Sequence, residues 1–477
     1  MSVPNAVKHA TRWSGLEIGV RYLLQFGVTV VLAHLVDPSA YGVVAMVLVF
    51  TALGNVFVDS GTGLALIQRQ RTSADEETSA FVINLFIATI AMGALIAASH
   101  AISSFYGRPE IAAMCIVLSA VFPLNALAVV PDALLTQQLR FKIRTRVEVG
   151  SSLASGAVAI LFAMAGAGPW ALVAQAISSI GMRAFMLFVA SGWRPVGRYR
   201  NKDALSIFSF GGYMLAAGLI DTAYNRLQAV VIGRWFTARD LGFYSLAQNT
   251  QQAPTSFAAA LLTRLGLPLL SAARHDLTEV KRVHRAALFM SLFAFVPLMI
   301  VLAVYASPIV TFVYGSRWAP AGPLLSILAL GAIPWPAHVL SLVALNAMGE
   351  PRLVLRVEVA KKSLAIALLL ASAPWGITAI AWSTVATSAA SYLLNAYFVG
   401  TRLRYDATAQ ARDLLPTLLV AGCTTVVAVA CAAWLPASWM GIGTGIGLAL
   451  LVHVAVGWVA SHPAISGFLQ LIPSRIR

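Results

Sequence analysis

Charge is what this sequence has least of. Only 11% of its 477 residues are Asp, Glu, Lys or Arg, whereas a soluble surface carries about 25–35%, so a water-soluble fold of this size is excluded. Acids are the scarcer sign, 18 against 33 basic residues. Cysteine is nearly absent: Cys115, Cys423 and Cys431 all fall in apolar runs. Cys423 and Cys431 lie about two turns apart on one predicted helix and cannot bridge, so neither a disulfide framework nor a zinc pattern exists. The sequence also lacks a phosphate-binding glycine loop, which argues against direct use of ATP, and nothing in it calls for a cofactor. The polar segment Met1–Ser14 has no cleavable leader pattern, so the first apolar run reads as a retained helix.

What is present is hydrophobic length, with 59% apolar residues. A spanning helix needs about 20 mostly apolar residues, and only a helix or a closed barrel satisfies its own backbone in lipid. The runs here are long and unalternating, which selects helices. The expected class is an all-α polytopic membrane protein with about 14 transmembrane helices, at 15–35, 41–66, 80–100, 111–133, 148–165, 169–190, 207–232, 242–269, 286–306, 320–346, 353–372, 375–399, 414–434 and 438–460. A charged segment at 270–285 reads as a short surface helix joining two halves.

Basic residues fall in alternate loops. Arg69 and Arg71, then Arg140 to Arg146, Arg194 to Lys202, Arg274 to Arg285, Arg352 to Lys362 and Arg402 to Arg412 share one side with both termini. The other side holds Arg108, Arg234, Arg239 and Arg317. The positive-inside rule makes the first side, and both termini, cytoplasmic. The net charge of +15 is thus a topology signal, with no soluble domain on which a nucleic-acid-binding face could sit.

Arg146-Val147-Glu148-Val149 recurs as Arg356-Val357-Glu358-Val359; Gly168-Pro169-Trp170 is echoed by Ala373-Pro374-Trp375, and Tyr41-Gly42 by Leu241-Gly242. The common order and the offset of about 200 to 210 residues point to two parallel halves. The organisation read from this is an N-terminal lobe at 1–205, a C-terminal lobe at 206–400, and two further helices with a cytoplasmic tail at 401–477.

Leu35-Val36-Asp37-Pro38-Ser39-Ala40-Tyr41-Gly42, Asp59-Ser60-Gly61-Thr62-Gly63-Leu64, Gly166-Ala167-Gly168-Pro169-Trp170, Ile232-Gly233-Arg234 with Leu241-Gly242-Phe243-Tyr244-Ser245, and Tyr314-Gly315-Ser316-Arg317-Trp318 form an ordered set. The set resembles the Wzx-type polysaccharide flippases of the multidrug/oligosaccharidyl-lipid/polysaccharide exporter superfamily. The resemblance implies a V-shaped, MATE-like bundle of two six-helix lobes. It implies flipping of undecaprenyl-diphosphate-linked oligosaccharide across the bacterial inner membrane for exopolysaccharide or lipopolysaccharide synthesis, by a carrier and not an enzyme. It also implies membrane lipids and the polymerase and chain-length proteins of that route as partners. One position departs from the pattern: Gln228 stands where this branch often carries an acid.

A charge within the bilayer is a functional candidate by default. Glu17, Arg21 and Gln25 share one face of the first span, and Asp221, Asn225 and Gln228 one face of the seventh, with Arg226 displaced and available to pair with Asp221. Arg183 lies well inside the sixth span, and Arg264 near the cytoplasmic edge of the eighth. Counting four in-membrane arginines against Glu17, Asp59 and Asp221 leans cationic. An anionic diphosphate suits that balance, because guanidinium grips phosphate oxygens bidentately. Arg21, Arg183, Arg226, Gln25, Asn225 and Gln228 are therefore the substrate-binding candidates, and Glu17, Asp59 and Asp221 the ion-coupling candidates. Asp59 could alternatively cap a helix break at Gly61 and Gly63. Trp170, Trp318, Trp375, Trp434 and Trp439 read as interfacial anchors, and His34, His338 and His453 as bundle or interfacial histidines without metal spacing. Two alternatives stay open: an ion-coupled drug or cation antiporter, and an integral-membrane polymerase or glycosyltransferase. The second lacks the large outward loop it would need.

Overall fold

A computed structural model describes residues 23–59, 61–69, 72–273, 276–405, 407–436 and 438–460. Among them every regular element is helical. The order is α1 (Leu23–Leu35), α2 (Pro38–Asp59), α3 (Thr62–Gln68), α4 (Ala74–Tyr106), α5 (Glu110–Leu118), α6 (Val121–Gln137), α7 (Phe141–Met164), α8 (Pro169–Ser191), α9 (Asn201–Trp235), α10 (Ala238–Ala273), α11 (Leu277–Val304), α12 (Ala306–Tyr314), α13 (Ala321–Ala332), α14 (Trp335–Ala347), α15 (Pro351–Ser372), α16 (Ile377–Leu403), α17 (Ala407–Trp434) and α18 (Trp439–Val459).

Ten stretches among the described residues are long and apolar enough to cross a membrane, so the chain is a multi-pass membrane protein. The expected fourteen spans are compatible with this set. The 35-residue α9 is about 52 Å long at the usual helical rise, but it is more polar. Several expected spans are interrupted. The second breaks at Gly61, which takes a left-handed φ of 73°. The fourth divides into α5 and α6 around Ser119 and Ala120, and the tenth into α13 and α14 before Trp335. The charged segment expected as a separate surface helix instead continues from Leu277 into α11. Its first turn is capped by Asp276, whose side chain accepts the Thr278 N–H.

The chain packs as two compact units, Met1–Ser245 and Leu246–Arg477. In the first, α2 lies against α4, α6 and α9, while α8 packs on α6 and α7. Leu32, Val36, Ala159 and Ala171 fill one core cluster, and Leu66, Ala80, Val130 and Leu134 another. The starts of α2 and α10 cross so closely that only glycine fits. A Cβ on Gly42 would sit 1.7 Å from the carbonyl oxygen of Ala238, and one on Gly242 would sit 1.9 Å from that of Pro38. Gly42 and Gly242 are two of the residues whose sequence context repeats.

The basic segment 192–200 is seated on the start of α4. Ser73 and Glu76 form a capping box there. Asp75 accepts the Arg198 N–H at 2.8 Å and pairs with the Arg200 guanidinium at 2.7 Å. Thr78 accepts the Gly197 N–H, Ser79 the Arg200 N–H, and Glu77 the Trp193 indole N–H at 2.7 Å. Three acids in the first turn attract a loop rich in arginine, and they also favour the positive end of the helix. Asp75→Ala should lower stability by about 1–2 kcal/mol, since it leaves a backbone donor without its carboxylate. The midpoint of thermal unfolding of the purified protein in nanodiscs checks this, with Glu110→Ala, an exposed rim pair with Arg108, as the near-neutral control.

In the second unit α13, α14 and α17 pack against α11, and α15 packs on α16. The two helices beyond residue 401 are joined to this unit by buried polar contacts. Tyr305 donates to the Ala428 carbonyl at 3.1 Å, and the ring nitrogens of His453 lie 2.8 Å from Thr424 Oγ1 and 3.0 Å from the Phe293 carbonyl. Between α16 and α17, Tyr405 donates to Asp413 at 2.5 Å. Burial, and then the adjacent carboxylate, hold its phenol well above the usual range. Trp375, Trp434 and Trp439 are exposed as anchors would be, but Trp318 is fully buried. It sits in a 3-10 turn after Gly315, and is a core residue and not an anchor.

Candidate functional site

Arg183, on α8, is the organising residue of the first unit. Its Nε donates to Glu148 Oε1 of α7 at 2.7 Å, and its Nη2 to Asp132 Oδ2 of α6 at 3.0 Å. Arg144 of α7 holds the other Asp132 oxygen at 2.8 Å. Glu148 lies one helical turn after Arg144, so one face of α7 supplies both signs. Three helices thus converge on one guanidinium, whose Nη1 has no hydrogen-bond partner among the described residues.

This network borders a cavity of about 610 Å³, within the range of about 300–1,000 Å³ typical of ligand sites. Its wall includes Asp59, Asn125, Asp132 and Arg183, with Leu215 and Gly218 contributed by α9. The helix break at Gly61 ends α2 at Asp59 and places Asp59, Gly61 and Gly63 on the wall. Asp59 accepts from Asn125 Nδ2 at 3.2 Å, and Asn125 also reaches Asn55 at 3.3 Å. The residue before α3 is Gly61, which has no side chain to cap it.

The structure brings Asp59 and Arg183, both candidates from the sequence, to one cavity. The other candidates among the described residues are placed elsewhere. Asn225 donates to Asp221 at 3.0 Å on the exposed side of α9. Gln228 accepts from Tyr244 at 3.0 Å. Arg226 is exposed and makes no hydrogen bond or ion pair among the described residues. Gln25, on α1, is also exposed. Glu17 and Arg21 lie outside the described residues, as does the side chain of Arg264.

Counting charge along the sequence missed Asp132 and Glu148, which sat at span edges and were not counted as in-membrane acids. With them included, Arg144 and Arg183 are matched by Asp132 and Glu148, and Asp59 adds a further acid to the wall. Two arginines thus stand against three acids around this cavity, so its described charges lean acidic, not cationic. The available signal was the spacing of Arg144 and Glu148 across one helical turn, together with an Asp following Pro131 inside an apolar run.

The second unit has its own buried polar group. His338 of α14 contacts Ser388 and Asn395 of α16, beside the buried Lys361 of α15, which pairs with Glu358.

Comparison with known proteins places this architecture. In the solved structures, the lipid II flippase MurJ in an inward closed conformation superposes with a TM-score of 0.78 at 14% identity, over 94% of this chain and 98% of that one. An inward-facing multidrug-resistance MATE family transporter gives a TM-score of 0.60 at 12% identity, over 80% and 94% of the two chains. These establish likeness of fold. In sequence, the succinoglycan biosynthesis transport protein ExoT of Rhizobium meliloti is 27% identical over 320 residues, 67% of this chain. That match spans 64% of ExoT, less than two thirds of its length. The lipopolysaccharide biosynthesis protein WzxC of Escherichia coli is 25% identical over 346 residues, 69% of this chain and 68% of that protein. Residues 31–323 match the family described as polysaccharide biosynthesis protein; that is well over half of the chain, and the chain belongs to this family.

Proposed function

We propose that this protein is a carrier that flips a lipid-linked oligosaccharide, with an undecaprenyl-diphosphate head, across the bacterial inner membrane by alternating access. Arg183 carries the reading. Its guanidinium borders the cavity and is locked in orientation by two carboxylates through Nε and Nη2, which leaves Nη1 for cargo. A pre-oriented guanidinium loses little conformational freedom when it meets phosphate. Asp132 and Glu148 are the residues from which an arriving phosphate would draw it. The relatives named for succinoglycan transport and lipopolysaccharide biosynthesis support this cargo class. Arg21, Arg226, Gln25, Asn225 and Gln228 are further proposed contacts, and Glu17, Asp59 and Asp221 proposed coupling sites. Both termini are proposed cytoplasmic, with lobes at 1–205 and 206–400 and an appended pair of helices at 401–477. The polymerase and chain-length proteins of the same route are the proposed partners.

A second reading has one observation in its favour. Asp59 places an acid on the cavity wall, as an ion-coupled antiporter of organic cations would use. Reconstitution into proteoliposomes separates the two. Movement of a fluorescent diphosphate-linked oligosaccharide to the opposite leaflet, uninhibited by a large organic cation, supports the flippase; cation efflux without lipid movement overturns it. Topology is tested separately: reporters fused after Pro195 and after Gly315 should report opposite sides of the membrane, and same-side signals would refute the span count between them.

A further inference from the structure

The repeat seen in sequence also recurs in local geometry. Leu139, between α6 and α7, and Gly349, between α14 and α15, both have positive φ, 55° and 74°. Gly168 before α8 and Gly376 before α16 do likewise, at 55° and 100°. Glu148 and Glu358 occupy matching places in the repeated tetrapeptide. To within one helical turn, Asp132 and Arg183 of the first unit then correspond to His338 and Ser388 of the second. The first unit fills this place with a guanidinium of permanent charge between two acids. The second fills it with a group that can gain or lose its charge.

His338 is held through both ring nitrogens: Nδ1 lies 3.1 Å from Asn395 Nδ2 and Nε2 lies 3.3 Å from Ser388 Oγ, an arrangement that suits the neutral ring protonated on Nε2. Asn395 is fully buried, and its Oδ1 has no hydrogen-bond partner among the described residues. An orphaned buried carbonyl is costly, and here it lies on the amide already touching the ring. Rotating that amide would present Oδ1 to a protonated Nδ1, so the cluster holds in reserve the acceptor that an imidazolium needs.

We propose that His338, Asn395 and Ser388 form a proton-binding site of the second unit, nested against the Lys361–Glu358 pair. The surrounding groups are set out by helix. From α16 come Ser388 and Asn395; from α15 come Lys361, 9% exposed, and its partner Glu358. The α11 helix, which also packs on α14, carries the buried His284. Lys361 is the cation of the pair on the neighbouring α15. A proton on the ring adds a second positive charge to that neighbourhood, in a lobe of low dielectric. The strain is relieved when Glu358 shifts toward the ring or when α14 and α15 move apart. A bound proton thereby biases the packing of α14, α15 and α16, which the permanent charges of the first unit cannot do.

The site is tested without reference to cargo. Full-length protein with ¹⁵N-labelled histidine is placed in lipid nanodiscs and followed by NMR from pH 8 to pH 4, with His338→Gln assigning the signal. The expected result is a ring that is neutral and protonated on Nε2 at pH 8 and becomes imidazolium within the range. Lys361→Gln should move the midpoint up by about one pH unit, as loss of an adjacent like charge does, and Ser388→Ala should retain the titration. A ring that stays neutral to pH 4 while the protein remains folded overturns the proposal. So does a midpoint unchanged in both Lys361→Gln and Asn395→Leu. A failure here leaves the flippase reading standing, because lipid movement is measured separately.

Discussion

Replacing Arg183 with alanine should reduce translocation by about 100-fold or more, while the protein still reaches the membrane in normal amount. Part of the effect is structural. Asp132 and Glu148 would face each other without a cation on that side, and breaking such a pair costs about 3–5 kcal/mol. The informative variant is therefore Arg183→Lys. It keeps the positive charge, but a single ammonium cannot reproduce the planar fork that spans Glu148 at 2.7 Å and Asp132 at 3.0 Å. Arg183→Lys should be inserted and folded yet retain only a small fraction of activity. Glu148→Gln releases one tether and preserves the guanidinium, and should fall between the two. Polymer output in cells lacking their own flippase, read beside the amount of inserted protein, makes the comparison. Wild-type output from Arg183→Ala would remove this residue from the mechanism.

Gly42→Val should be among the most damaging single changes in the first unit, lowering stability by about 3 kcal/mol or more. Overpacking usually costs about 1–3 kcal/mol because side chains can turn aside. The obstruction here is backbone: the new Cβ would lie 1.7 Å from the Ala238 carbonyl oxygen, and a carbonyl fixed at the start of a helix cannot rotate away. The reciprocal change, Gly242→Val, meets the Pro38 carbonyl at 1.9 Å and should behave alike. Each must prise α2 from α10. Gly93→Ala, where an added Cβ meets nothing within 4 Å, should be neutral or mildly stabilising, since alanine is the better helix former. Thermal unfolding of the three variants in nanodiscs decides the matter. Equal midpoints for Gly42→Val and Gly93→Ala would show that the crossing tolerates separation.

Different parts of the molecule were legible in the sequence to different degrees. The spans were readable because membrane insertion sums hydropathy over about twenty consecutive residues, which is local information. Their interruptions were legible where a proline falls: Pro334 precedes α14, and Pro123, whose ring clashes with the carbonyl four residues earlier, lies just past the break at Ser119 and Ala120. Arg183 could be singled out because a cation in an apolar run is conspicuous. Its partners could not be: Glu148 is 35 residues away and Asp132 is 51. Trp318 was misread because an aromatic near a span end looks the same whether it faces headgroups or core.

By itself the sequence determined that the chain lives in a membrane, that it crosses repeatedly as helices, and that two stretches about 200 residues apart repeat. These follow from composition and from order along the chain. Which charges neutralise one another was decided only by tertiary structure. Neutralisation depends on three helices bringing their side chains within about 3 Å, and that proximity is set by packing. A span count that leaned cationic became a balanced network around one oriented guanidinium, and a histidine without neighbours in sequence acquired an amide, a hydroxyl and a buried ion pair.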